Sequence, residues 1–177
     1  MIQELVQQQN NGFSSLLAEL SVTDGSGNHI PYFRAIGEVV KMVNLLPMHG
    51  NKIIIVGNGG SAAIASHQAI DFWKNGGVRA IAFNDSSLLT CISNDFSYED
   101  VFAKPIEAFS DPGDIVICIS SSGASKNILN AADAARKKGC DVISLSGFDP
   151  TNPLRKKGGV NFYVPSSAYG YVEIMHL

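Results

Sequence analysis

Cysteine is scarce in this 177-residue chain: there are three, Cys91, Cys118 and Cys140. An odd count without paired ligand spacing excludes a disulfide framework or a cysteine-built zinc module, and it fits a reducing compartment with structural thiols. Cys118, inside an apolar run, is expected in the core. An excess of one charge is lacking as well. Thirteen Lys and Arg stand against sixteen Asp and Glu, a net charge of −3 with both signs interspersed, so the basic footprint that nucleic-acid binding needs is absent. Lys137-Lys138 and Arg155-Lys156-Lys157 are the only basic clusters, and they read as solvated faces. No apolar run approaches the roughly 20 residues of a membrane-spanning helix. Met1–Asn10 has no charged lead-in followed by an apolar stretch, so it does not read as a secretory leader. The expectation is a cytoplasmic protein without nucleic-acid or membrane partners.

What is present is ample apolar material, 45% of the residues, enough for one domain with a real core over residues 1–177. Residues 1–48 read as two helices. The first has apolar positions Ile2, Leu5, Val6, Phe13, Leu16, Leu17 and Leu20, and a turn-rich break follows at Thr23–Asn28. The second runs from Pro31 to about Leu46 and is expected to bury Ile36, Val39, Val40, Val43 and Leu46. From residue 49 the period changes. Short apolar runs at Ile53–Val56, Ala80–Phe83, Ile115–Ile119, Val142–Leu145 and Phe162–Val164 alternate with helical patterns. That alternation predicts an α/β fold: a doubly wound, five-stranded parallel sheet of flavodoxin-like order 2-1-3-4-5, flanked by helices. Tyr171–Leu177 reads as the opening of a helix without a C-cap signal, so the last helix is expected to be incomplete.

Two of the strands end in similar loops. Ile53-Ile-Ile-Val56 passes into Gly57-Asn-Gly-Gly-Ser61 and an alanine-rich helix, and Ile115-Val-Ile-Cys-Ile119 passes into Ser120-Ser-Ser-Gly-Ala-Ser125 and another helix. In the predicted order these strands are neighbours and both loops face one crevice. Backbone N–H groups at a helix N-terminus favour an anion. Gly59, Gly60 and Gly123 allow close approach of backbone, and Ser61, Ser120, Ser121, Ser122 and Ser125 supply uncharged hydroxyl donors. Either loop alone can be a tight turn or an N-cap with spare serines; the pair at adjacent strand ends points to a phosphate monoester. Neither loop carries a P-loop ending or dinucleotide-binding spacing, so no nucleotide cofactor is expected.

With these residues the chain resembles the sugar isomerase (SIS) domain proteins, and within them the phosphoheptose isomerases. The resemblance runs over nearly the whole chain: the leading helices, Gly57-Asn-Gly-Gly-Ser-Ala-Ala63, Ser93-Asn-Asp-Phe96, Ser120–Ser125, Leu145-Ser-Gly147, and Val172-Glu173 with His176. It implies an aldose–ketose isomerase converting sedoheptulose 7-phosphate to D-glycero-D-manno-heptose 7-phosphate for surface polysaccharide. It also implies a homotetramer built through the N-terminal helices. Asn94 and Asp95 would bond the sugar hydroxyls and Asn58 would reach the sugar from the first loop, although Asn94-Asp95 also reads as a turn capping the next helix.

Isomerisation needs a base, an acid and a polarised carbonyl. His67 and Asp71 are spaced to share one helix face. The resemblance assigns them, with Glu173, to a zinc site and assigns proton transfer to Asp71 and Glu173. Three departures from the family pattern stand out. Asp71 replaces a glutamate, Glu173 replaces a glutamine, and an arginine is replaced by Trp73-Lys-Asn-Gly-Gly77, where Lys74 can act only as a point charge. The family's later histidine falls beyond Leu177, and His176 reads as structural. These departures keep two alternatives open: a non-catalytic phosphosugar sensor or interaction module, and an isomerase of another phosphosugar.

Overall fold

Ile53-Ile-Ile-Val has no polar face, so it suits only a strand covered on both sides. The computed structural model describes residues 1–177, and in it strand β2 (Ile53–Gly57) is buried along its whole length. It pairs in parallel with β3 (Ala80–Ala82) on one side and β4 (Ile115–Ser120) on the other. Strands β5 (Asp141–Ser146) and β6 (Val160–Tyr163) extend the sheet in parallel. The five run in the order β3-β2-β4-β5-β6, the doubly wound order that the alternation predicts.

The strand count is corrected from five to six. Strand β1 (Ser21–Asp24) pairs antiparallel with β6 at the sheet edge, where the sequence predicts only a turn. Four residues are too few to show an alternating pattern, and the partner strand lies at the other end of the chain. The turn itself follows directly: Asp24 Oδ1 accepts hydrogen bonds from the Ser26 and Asn28 N–H groups, as a short acidic side chain does at a turn.

The side-chain period of two sends Ile54 and Val56 to one face of β2 and Ile53 and Ile55 to the other. The first face packs with Val116 and Cys118 against helices α5 (Ala103–Phe109) and α6 (Lys126–Lys137). Ala131, Ala132, Ala134 and Ala135 are buried, so α6 lies close on the sheet. The second face packs against Leu46 of α2 (Tyr32–His49) and Ala65 and Ala69 of α3 (Gly60–Lys74). Each fully buried Ile or Val stabilises by about 1.5–3 kcal/mol. Burial pushes the Cys118 thiol up to about 12, so it is an inert core group. Helices α4 (Ser86–Asp95) and α7 (Tyr169–His176) complete the chain.

The leading helices behave differently from the core. Helix α1 (Ile2–Glu19) buries only Leu16, while Ile2, Leu5, Val6 and Leu17 are exposed. On α2, Ile36 and Val40, expected in the core, lie at the surface with Phe33, Leu45 and Met48. The apolar stripe of α2 is wider than the strip of sheet it meets, so the chain buries only part of it.

Candidate functional site

The two glycine- and serine-bearing loops meet as their strands require. Gly57 and Ile119 are register partners on β2 and β4, so the segments after them leave the sheet side by side. Between them is a cleft of about 80 Å³ lined by Asn58, Ser61 and four serines of the second loop, with Phe148 and Tyr169 at its wall. Ser120 donates to Ser125 Oγ at 3.3 Å and its hydroxyl lies 3.5 Å from Ser122 Oγ, which accepts from the Ala124 N–H. Ser121 is 5% exposed and its hydroxyl has no partner. A buried hydroxyl left unpaired costs about 1–3 kcal/mol, a cost that a ligand oxygen in the cleft removes.

The serine loop is braced from below by the segment after β5. Gly123 has φ +61°, and the space a side chain would need there is filled by Asn152. Asn152 donates to Ser146 Oγ, Gly147 O and Asp149 O, and the Gly147 N–H donates to Ser121 O. Phe148 is the one non-glycine residue with positive φ, +59°, a conformation that costs an L-residue energy; its carbonyl accepts from the Tyr163 hydroxyl. Sequence reasoning missed Asn152 and Phe148. Asn152 precedes a proline, which marks a turn, but nothing local ties it to a loop thirty residues earlier.

Asn58 lines the cleft, but most of its amide is engaged by Asn127 and Tyr98. Asn94 and Asp95 are not in a loop, as expected from sequence; they form the last turn of α4. Asp85 caps that helix by accepting from the Ser87 and Leu88 N–H groups. Leu88, Leu89 and Ile92 then pack at helical spacing against the core, which carries the helix through residue 95. Asn94 Nδ2 donates to Asp95 Oδ1, both residues are exposed, and neither lines the cleft.

His67 and Asp71 do share a face of α3, with Nε2 to Oδ2 at 3.3 Å and exposures of 64% and 41%. Asp71 also accepts from Asn75 Nδ2. Glu173 lies elsewhere. Its carboxylate sits against Gly60 at the start of α3, in space that any side chain at 60 would occupy, and its Oε1 is buried without a partner. The positive end of α3 favours the charge there. At a rise of 1.5 Å per residue, Asp71 is roughly 16 Å along the helix from Gly60. His67, Asp71 and Glu173 therefore do not gather as one metal set, and no three His, Cys, Asp or Glu side chains come together to hold an ion. The residues of one protomer do not fit the expected zinc.

The three are nonetheless arranged along one line. Seven and eleven residues are close to two and three helical turns, so His67 and Asp71 return to the Gly60 side of α3. Helix α7 runs beside this stripe, from Glu173 at Gly60 to the Leu177 carbonyl, which accepts from Gln68 Nε2. His176 is buried with Nε2 3.2 Å from Ser146 O, and burial pulls its pKa down to about 4. It is a neutral packing group.

This geometry defines a doubly wound α/β domain with a serine-lined cleft outside the carboxyl ends of its central strands. A family model for the SIS domain matches residues 33–147, a span that holds both loops, and the chain belongs to the SIS domain family. It is 40% identical over 135 residues to the phosphoheptose isomerase of Aliarcobacter butzleri, covering 73% of this chain and 71% of that protein. With the phosphoheptose isomerase of Colwellia psychrerythraea it shares 34% identity over 181 residues, 98% of this chain and 89% of that one. The structure of phosphoheptose isomerase from Neisseria gonorrhoeae superimposes with a TM-score of 0.82, at 29% identity, over 99% of this chain and 92% of the other.

Proposed function

We infer that this protein is a phosphoheptose isomerase, interconverting sedoheptulose 7-phosphate and D-glycero-D-manno-heptose 7-phosphate in the cytoplasm for surface polysaccharide. The observation that carries the reading is the cleft between the two loops, lined by Asn58, Ser61 and four serines of the second loop. The serine hydroxyls of the second loop anchor the phosphate, since the start of α3 already faces the Glu173 carboxylate. The phosphate ester is at the far end of a seven-carbon chain from the reacting carbons, so the sugar must extend away from the serines. The stripe of α3 that passes Glu173, His67 and Asp71 gives it that track. A carboxylate takes a proton from C1 of the ketose and the C–H electrons form the enediolate between C1 and C2; the proton returns to C2 while the O1 proton passes to O2, so that C1 becomes the aldehyde and C2 carries the hydroxyl. Glu173 and Asp71 are the two carboxylates along the track, and one of them is the base; roughly 16 Å apart along α3, they do not both reach C1 and C2. Asn94 and Asp95, outside the cleft at the end of α4, are given no part in this track; the exposed apolar residues of α1 and α2 support a homo-oligomer, with a tetramer as the expected form.

Proton NMR of sedoheptulose 7-phosphate with the protein in deuterated buffer tests the reaction. Aldose signals with deuterium at C2 are expected; binding without exchange would instead mark a phosphosugar sensor. Glu173→Gln and Asp71→Asn separate the two: the variant that removes the base is expected to cut turnover about 10²–10⁴-fold with calorimetric binding retained, and a variant with full turnover removes that carboxylate from the mechanism.

A further inference from the structure

Asn127 is not explained by phosphate binding. It lies in the first turn of α6, is 3% exposed, and is not part of the cleft wall. Its amide faces that of Asn58 across the two loops in a reciprocal pair. Asn58 Nδ2 donates to Asn127 Oδ1 at 2.9 Å, and Asn127 Nδ2 donates to Asn58 Oδ1 at 2.8 Å. The Tyr98 hydroxyl donates to the same Asn58 Oδ1 at 3.2 Å. Two opposed hydrogen bonds between planar amides hold the Asn58 side chain in one orientation. They use one hydrogen of Asn58 Nδ2 and leave the other, on a residue that does line the cleft. The Tyr98 turn is itself fastened to α6, because Lys126 Nζ meets Glu99 Oε1 at 2.8 Å and Asn130 Nδ2 donates to Glu99 O at 3.0 Å. The amide pair thus joins the glycine loop, the start of α6 beyond the serine loop, and the turn that follows Asn94-Asp95.

We propose that Asn127 is a positioning residue for the phosphosugar: it sets the spacing of the two loops and holds Asn58 with one free N–H available to a ligand oxygen. This rests on the phosphoheptose reading above. No other residue of similar size serves. Asp has no hydrogen to give Asn58 Oδ1, and Leu can neither give nor accept.

The test measures calorimetric affinity for sedoheptulose 7-phosphate, KM, kcat and thermal midpoint for the wild type, Asn127→Leu, Asn127→Asp, Asn58→Ala and the Asn58→Ala/Asn127→Leu double variant. A hydrogen bond to a charged ligand is worth about tenfold to a hundredfold in affinity. Asn127→Leu and Asn58→Ala are each expected to weaken binding and raise KM by at least about tenfold, with kcat within about threefold. The double variant is expected to be no worse than the poorer single, since residues in direct contact couple. Asn127→Asp conserves volume and is expected to lose at least as much, so it reports even if the leucine variant does not fold. A lowered thermal midpoint with unchanged KM and affinity, or additive losses in the double variant, overturns the proposal. A wild-type protein that neither binds nor converts the phosphosugar overturns the parent reading, and this inference with it.

Discussion

The two edges of the same sheet treat buried polar atoms in opposite ways. At the edge where the strands begin, Asp114 is fully buried and every demand on it is met. It accepts from the Asn51 amide, the Lys52 N–H, the Lys52 ammonium at 2.7 Å and the Asp111 N–H. Burial works against its charge, but the hydrogen bonds from Asp111, Lys52 and Asn51 outweigh that and hold its pKa below the ordinary carboxylate range. At the edge where the strands end, Ser121 Oγ and Glu173 Oε1 are buried with nothing to bond. Asp114 spends its polar atoms on the fold, whereas Ser121 and Glu173 each keep one unspent. Removing a group should therefore cost stability at one edge and function at the other.

Asp114→Ala gives the largest effect. It removes a fully buried acceptor of bonds from Asn51, Lys52 and Asp111 and leaves the Lys52 ammonium, only 16% exposed, with Asp111 as its remaining partner; a loss of about 3–5 kcal/mol is expected, to be read from urea unfolding. In the wild type the contribution of Asp114 is present above its unfolded value near 3.8 and is lost as pH falls through the lower folded value. A stability loss below about 1 kcal/mol would mean that the edge is not the anchor it resembles.

His176 sharpens the comparison through pH. Its folded value of about 4 lies below the ordinary 6.5 because burial disfavours the charged ring. Between those values only the unfolded chain takes up the proton, so stability falls as pH drops from 6.5 toward 4, by about 3 kcal/mol in all. His176→Leu is expected to flatten that part of the stability profile, and an unchanged slope would assign it to other groups.

Ser121→Ala should have the smallest effect, and its pattern is opposite to that of Asp114. Loss of one hydroxyl donor is expected to weaken phosphosugar affinity about tenfold, while the thermal midpoint stays level or rises because an unpaired buried hydroxyl has been removed. A fall in stability with unchanged affinity would erase the contrast between the edges.

Local pattern was sufficient wherever one segment carried its own signal. The five parallel strands were legible because each contains a short apolar run between helical patterns, and the two glycine- and serine-bearing loops because they follow two of those strands directly. Strand β1 was not legible, because its pairing is supplied by β6 from the far end of the chain. Nor was the helical state of Asn94-Asp95, which depends on Leu88, Leu89 and Ile92 finding the core. The surface position of Ile36 and Val40 was likewise out of reach, since a helical stripe shows that residues are apolar and not how much of the stripe the sheet can cover.

By itself, then, the sequence determined the fold class, the order of the five parallel strands and the neighbourhood of the two glycine- and serine-bearing loops, since these follow from hydrophobic period and from the chemistry of short motifs. Tertiary structure alone decided the rest. It placed Glu173 at Gly60 rather than with His67 and Asp71, put Asn152 beneath Gly123, and paired Asn127 with Asn58. Each of these depends on the distance between segments remote in sequence, and helix rise and strand register set that distance only after the chain has folded.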